Sequence, residues 1–184
     1  MISMLTQKHR AKTAKIATFV FALIAVITVV VGGGGNGQAE TAPEKGKVFG
    51  DWIVDCETPK DKPQICFLSQ EQTQKEGGGR VLKFSLGKLG PKGEVMVVAI
   101  LPLGISLPAG AALRIDAKDQ KPMILQQCTG EGCVATMVLD KATVDALKAA
   151  KEMLVGILPF GGTQTMVINV SVKGLTGGMT YMKY

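Results

Sequence analysis

Few side-chain types can carry proton transfer, nucleophilic attack or metal ligation, and in this 184-residue chain they are sparse beyond residue 39. The one histidine, His9, lies close to the N-terminus. From residue 40 onward, therefore, neither a Ser-His-Asp nor a Cys-His nucleophile can be assembled, and no histidine-liganded metal site can form. Carboxylates remain as acid–base candidates. Asp51, Asp55, Glu57 and Asp61 gather along one short segment, whereas a glycosidase needs two carboxyl groups opposed across a cleft. Asp51, Asp55 and Glu57 alternate with Trp52, Val54 and Cys56, the pattern of a solvated strand face, and Trp52 reads as the centre of a core. Asp116 and Asp119, beside Lys118 and Lys121, read as a charged turn. Among the seven methionines after residue 40, Met179 and Met182 could suit a soft copper ion, but without histidine they read as adaptable core filler. Gly77-Gly78-Gly79 and Gly161-Gly162 lack both the G-x-x-x-x-G-K pattern and a following helix, so they read as flexible turns rather than phosphate cradles. No catalytic residue, cofactor or metal is expected.

The four cysteines, Cys56, Cys66, Cys128 and Cys133, are even in number, and all lie beyond the N-terminal segment. Three pairings are formally possible. Cys56 with Cys66 and Cys128 with Cys133 is preferred, because each pair flanks a short run of turn formers, Thr58-Pro59-Lys60-Asp61-Lys62-Pro63 and Thr129-Gly130-Glu131-Gly132. A four-thiolate zinc site would show closely spaced Cys knuckles and a thiol-redox enzyme Cys-x-x-Cys; neither is present.

Disulfides imply an oxidising compartment, and residues 1–39 have the form of an export signal. Lys8, Arg10, Lys12 and Lys15 form a basic flank, Ile16 to Val31 is a run of 16 apolar or Thr residues, and Gly37-Gln38-Ala39 offers small residues for cleavage after Ala39. As a helix that run spans about 24 Å, short of the ~30 Å hydrocarbon core. A signal peptide is the preferred reading, with an uncleaved membrane anchor over residues 16–31 as its rival. Both put the rest of the chain outside the cytoplasm, in the periplasm, at the outer membrane or in the medium. With four of the 21 Lys and Arg residues in this segment, 17 remain against 15 Asp and Glu, so the overall +6 falls to +2. That balance gives no electrostatic footprint for nucleic acid. Contact with a membrane is expected only through the N-terminal segment, if it stays uncleaved.

Residues 40–47 are polar, with Pro43 and Gly46, and read as a linker to one domain over residues 48–184. There the hydropathy period is mostly two. Strands are expected over 50–56, 65–72, 81–89, 94–101, 113–116, 123–127, 133–139, 152–158 and 165–172. The continuous Val/Met/Ile run from Glu94 to Leu101 is long enough only for a buried central strand. One short helix is expected after Asp140, a suitable N-cap, with Val144 and Leu147 inward. Short antiparallel strands with one short helix describe an all-β sandwich or partly open barrel.

Phe49-Gly50-Asp51-Trp52 with Cys56 and Cys66, then Leu101-Pro102-Leu103-Gly104-Ile105 with Leu107, Gly110, Leu113 and Asp116, then Cys128, Cys133 and Ala135, resembles the invasion-associated locus B family over residues 48–182. The resemblance implies an immunoglobulin-like β-sandwich with two local disulfides in the envelope of an alphaproteobacterium. For some members it implies a part in entering host cells. It brings no catalytic residues. The tail departs from the pattern, with Gly174-Leu175-Thr176-Gly177-Gly178-Met179 where a Gly-Phe and a small helical Ala pattern are expected.

The function expected is that of a non-enzymatic binding module whose partner is an envelope or host-surface protein. Its contact candidates are Leu103 and Ile105 in the Pro-containing apolar segment 101–108. The alternative is an envelope enzyme acting on glycan or peptide through carboxylates. N-terminal sequencing of the protein recovered from cells is expected to begin at Glu40; a start at Met1 would reject cleavage.

Overall fold

The structure is a computed structural model in which residues 42–74, 79–118 and 120–184 are described. The expected signal peptide with its cleavage site, the first residues of the linker, Gly77, Gly78 and Asp119 lie outside the described residues. Ten strands form one sheet: β1 (Val48–Phe49), β2 (Trp52–Glu57), β3 (Ile65–Thr73), β4 (Arg80–Lys88), β5 (Val95–Leu101), β6 (Ala111–Ile115), β7 (Lys121–Thr129), β8 (Gly132–Val138), β9 (Met153–Ile157) and β10 (Met166–Asn169). Their spatial order is β1-β2-β3-β4-β5-β8-β7-β6-β9-β10, and neighbouring strands pair antiparallel. The expected all-β antiparallel fold is therefore observed, as a single curled sheet. Two α-helices accompany it rather than one: α1 (Lys141–Ala149) and α2 (Leu175–Tyr181).

The alternation that predicts each strand also sorts its side chains. On β2, Trp52, Val54 and Cys56 are buried while Ile53 and Glu57 are exposed. Cross-strand pairs continue the inner face, Leu68 with Leu86, Gln70 with Phe84, Val97 with Met137 and Ala99 with Ala135. Because the sheet curls, these residues share one core with Leu113 and Ile115 of β6 and Met153, Val155 and Ile157 of β9. Trp52 is fully buried and meets the Phe84 ring edge-on at 6.0 Å.

Both helices place apolar side chains in that core. The Asp140 carboxylate accepts the Thr143 N–H at 2.7 Å, capping α1 as expected, and Val144 and Leu147 turn inward. Helix α2 escapes a propensity argument because Gly177 and Gly178 are poor helix formers. Packing overrides propensity here. Leu175, Met179 and Met182, at helical spacing, are all buried, and a Cβ on Gly178 would come within 2.9 Å of the Leu68 methyls.

The curl is closed by side chains rather than by a backbone ladder. Gln70 points inward from β3, and its amide both accepts the Ser171 N–H (3.0 Å) and donates to the Ser171 carbonyl (2.9 Å). A single glutamine thus imitates one residue of a partner strand. The Trp52 indole N–H donates to the same carbonyl at 2.9 Å, and Gln72 donates to the Asn169 carbonyl. Beyond Ser171, the Asp51 N–H donates to the Lys173 carbonyl, and two glycines cross at this seam. Both Gly50 and Gly174 have positive φ, and a Cβ on Gly174 would lie 2.0 Å from the Phe49 carbonyl oxygen, so no other residue fits without moving the backbone.

The pairing directions define two poles. At one lie the β2–β3 turn, the β4–β5 turn and the start of α1; at the other lie the β3–β4 and β7–β8 turns with segments 102–110 and 158–165. Cys56–Cys66 and Cys128–Cys133 are bonded pairs of directly opposed residues, one toward each pole.

β5 lies in the middle of the strand order, as expected. Val97, Ala99 and Leu101 are buried inside the curl, but Met96, Val98 and Ile100 on its outer face are only partly buried. Both helices sit elsewhere, packed on each other, with α2 also against β1 and β2.

Replacing Gln70 with Leu keeps the volume but strands the part-buried Ser171 N–H, and is expected to cost about 2 kcal/mol, or roughly 5 °C in Tm. In Gln70→Glu the buried carboxyl can donate to the Ser171 carbonyl only when protonated, so its folded pKa is raised. Its contribution is present at low pH and lost as pH rises through that value, so the deficit against the unmutated protein shrinks from pH 7 to pH 5. Urea denaturation of the oxidised proteins at both pH values checks this; a Gln70→Leu protein as stable as the parent would remove Gln70 from the closure.

Candidate functional site

The pole that carries Cys128–Cys133 presents the candidate surface. After β5 the chain runs through residues 102–110, and after β9 through 158–165; neither stretch contains an ionisable side chain. The two are zipped together by backbone bonds, with the Ser106 N–H donating to the Leu158 carbonyl and the Phe160 N–H to the Gly104 carbonyl, both at 2.8 Å. Ile105 and Pro159 form an isolated bridge between them. A single 3-10 turn, Leu107–Ala109, then leads into β6.

This zipper divides the two residues singled out from the sequence. Ile105 is buried, 6% exposed, and belongs to the core; it is corrected from a contact residue to the anchor of its loop. Leu103 is 56% exposed. Beside it on the zipped pair of loops stands Phe160, 83% exposed, which sequence reasoning passed over as part of a turn. A readable signal exists: an aromatic residue placed between Pro159 and Gly161-Gly162, at the tip of a hairpin, has no strand face to pack into. Leu107, 55% exposed, completes the group. Three large apolar side chains on rigidly paired, uncharged loops can desolvate a partner's apolar surface; they cannot transfer a proton or hold a metal.

The carboxylates are placed for structural work. Asp55 lies 3.4 Å from Lys45 and 3.8 Å from Lys83, and Asp51 accepts the Ser171 hydroxyl at 2.6 Å while lying 3.9 Å from Lys173. Glu57 is exposed at the end of β2, and Asp61 sits in the β2–β3 turn with φ 60°. Asp116 accepts the Lys151 and Glu152 N–H groups at 2.8 and 3.0 Å; these bonds, with Lys118 and Lys151 nearby, hold its carboxyl below the ordinary range. Hydrogen bonds from Thr143 do the same for Asp140, with Lys121 adding to the effect. A general acid at neutral pH requires the opposite shift. Burial pushes the Tyr184 phenol upward.

Ile115, Lys118, Lys121, Ala142, Thr143 and Ala146 line an open hollow of about 170 Å³ beside α1. Among the described residues no group of three or more His, Cys, Asp or Glu side chains could hold a metal ion, and no helix is long and apolar enough to cross a membrane. Trp52, Met179 and Met182 are core residues. The two disulfides accord with a compartment outside the cytoplasm.

Comparison with known proteins points one way. The model of a family described as Invasion associated locus B protein matches residues 52–183. An invasion protein B homolog of Brucella abortus strain 2308 is 32% identical over 138 residues, which is 75% of this chain and 77% of the homolog. Invasion protein B of Bartonella bacilliformis is 29% identical over 110 residues, covering 58% of this chain and 56% of that protein. The crystal structure of invasion associated protein B from Bartonella henselae superposes with a TM-score of 0.64 at 22% identity, covering 74% of this chain and 94% of that one. It shares the fold.

Leu103→Asp is expected to change folding stability by no more than about 0.5 kcal/mol, as at an exposed site, whereas Ile105→Asp buries a charge and is expected to cost about 3 kcal/mol or more. Urea midpoints of the two oxidised variants decide; similar losses from both would put Leu103 in the core as well.

Proposed function

The chain belongs to the invasion-associated locus B family, and from that premise we propose that it acts outside the cytoplasm as a binding module rather than as an enzyme. The observation that carries the reading is the pole bearing Leu103, Leu107 and Phe160: three large apolar side chains held in water by loops whose backbones are tied together. Exposing them costs stability, and a contact that covers them recovers it. The carboxylates offer no comparable assembly, since Asp51, Asp55, Asp116 and Asp140 are engaged by lysines, a hydroxyl or backbone amides.

The partner proposed is an envelope or host-surface protein, with the domain in the periplasm, at the outer membrane or in the medium. The relatives' names, invasion protein B and its homologs, support the host-surface version of this reading. Two disulfides and the export-like N-terminal segment support the location. Residues 16–31 would tether the domain to the inner membrane if they are not removed.

A photo-crosslinking residue placed at position 103 or 160 of the full chain, in living cells, is expected to give discrete protein adducts, while the same residue at Lys60, near the opposite pole, gives none. Phe160→Asp should abolish the adducts formed from position 103. Equal labelling from all three positions, or none from 103 and 160, would overturn the proposed contact surface.

A further inference from the structure

The two ends of the curled sheet are finished differently. At one end β1 is two residues long and has α2 packed against it, with the Phe49 and Tyr181 rings 5.2 Å apart. At the other end stands β10. Its register with β9, continued by the Val170 N–H bonded to the Met153 carbonyl, turns the backbone groups of Met166, Ile168 and Val170 toward β9 and those of Val167, Asn169 and Ser171 away from it. Side-chain amides of β3 meet two of these outward residues: Gln70 takes both groups of Ser171, and Gln72 takes the Asn169 carbonyl. The row stops there. Gln74, two residues further on, is exposed, and among the described residues neither it nor any other side chain bonds the Val167 N–H or C=O.

An open rung of this kind selects its occupant by chemistry. A donor and an acceptor pointing the same way from one extended residue are matched by another extended backbone; a helix has spent those groups internally, and an acyl chain has none. Exposed edges usually carry Lys, Pro or a bulge against such pairing. Between Glu152 and Lys173 there is no ionisable residue, and β10 has neither a proline nor a register shift. Met166 and Val167 are 40% and 56% exposed on this edge. β10 also starts where the 158–165 loop ends, so a chain paired at Val167 and running on past Thr165 comes to the pole with Leu103, Leu107 and Phe160. Resting on the binding reading of that pole, we propose that the protein partner adds a strand to this edge: an extended, uncharged segment pairs with the Val167 N–H and C=O and lays its following apolar residues on the pole. Backbone pairing then sets direction and register, and the apolar contacts supply affinity. A charged side chain in that segment would find no counter-charge along β10.

In living cells, a photo-crosslinking residue replacing Gln164 of the full chain, exposed at the approach to β10, is expected to give discrete adducts whose attached peptide mass spectrometry maps. Val167→Pro deletes an N–H that no bond to β9 uses and sets its ring where the added strand's carbonyl would sit, so it should reduce these adducts by about tenfold at an unchanged urea midpoint. Val167→Thr, which keeps the N–H and the branched side chain, should retain them. If Val167→Pro lowers the midpoint, the α-hydroxy acid corresponding to valine at 167, which deletes that N–H alone, takes its place. Adducts that loss of the N–H leaves undiminished, adducts to glycan or lipid, or no adducts from 164 would overturn strand addition. Adducts from 103 and 160 that survive Val167→Pro keep the pole and reject the edge; adducts from 164 that Val167→Pro removes, with none from 103 or 160, keep the edge and reject the pole.

Discussion

A curled sheet with two free ends must still satisfy the backbone at its seam, and in this protein one glutamine does most of that work. Gln70 offers the Ser171 peptide group the acceptor and donor that a neighbouring strand would offer, from within the core. The indole of Trp52 supplies a second donor to the same carbonyl. A buried peptide group left without partners costs about 1–3 kcal/mol per missing bond, a large part of the net stability of a small domain. The contacts of Asp51 with Lys173 and Ser171, and the crossing of Gly50 and Gly174, all depend on the chain being held where Gln70 holds it.

Period-two hydropathy was a sufficient guide to β2 through β5 and to β8, because each has a clear inner face, and Asp140 marked the start of α1 correctly. What escaped is non-local. Nothing in the immediate neighbourhood of Gln70 says that its amide will meet a residue a hundred positions later. Two glycines argue locally against α2, and burial of Leu175, Met179 and Met182, with a Leu68 surface that needs a neighbour without a side chain, reverses that argument. Ile105 and Leu103 are equally apolar and two residues apart; their opposite fates follow from the backbone bonds to the 158–160 segment, which no periodicity encodes. Phe160 was legible in principle from its Pro and Gly neighbours, and β5 was legible as a central strand from its continuous apolar run.

Functional capacity is distributed by charge. Asp51, Asp55, Asp116 and Asp140 are engaged at the seam, with lysines, in a turn and at a helix cap, and the loops that expose Leu103, Leu107 and Phe160 carry no charge. Each disulfide joins directly opposed residues of a hairpin, so hairpins toward both poles are held by covalent bonds independently of the seam. In the chain-entropy view, closing such short loops contributes about 2–3 kcal/mol each. The loops that present Leu103 and Phe160 therefore stand on a framework that resists local opening, which lowers the entropy lost on contact.

The position of Ser171 along the chain also orders events in time. Synthesis proceeds from the N-terminus, and the meander β1 to β5 consists of neighbours in sequence that can pair as they appear. Gln70 and Trp52 are then in place, but their partner Ser171 lies 101 and 119 residues further along the chain. Before Ser171 is added, the Gln70 amide and the Trp52 N–H lack the partner they have in the finished fold. The segment around Ser171 works as a latch: a sheet begun early in synthesis is locked only after a residue far downstream has been added.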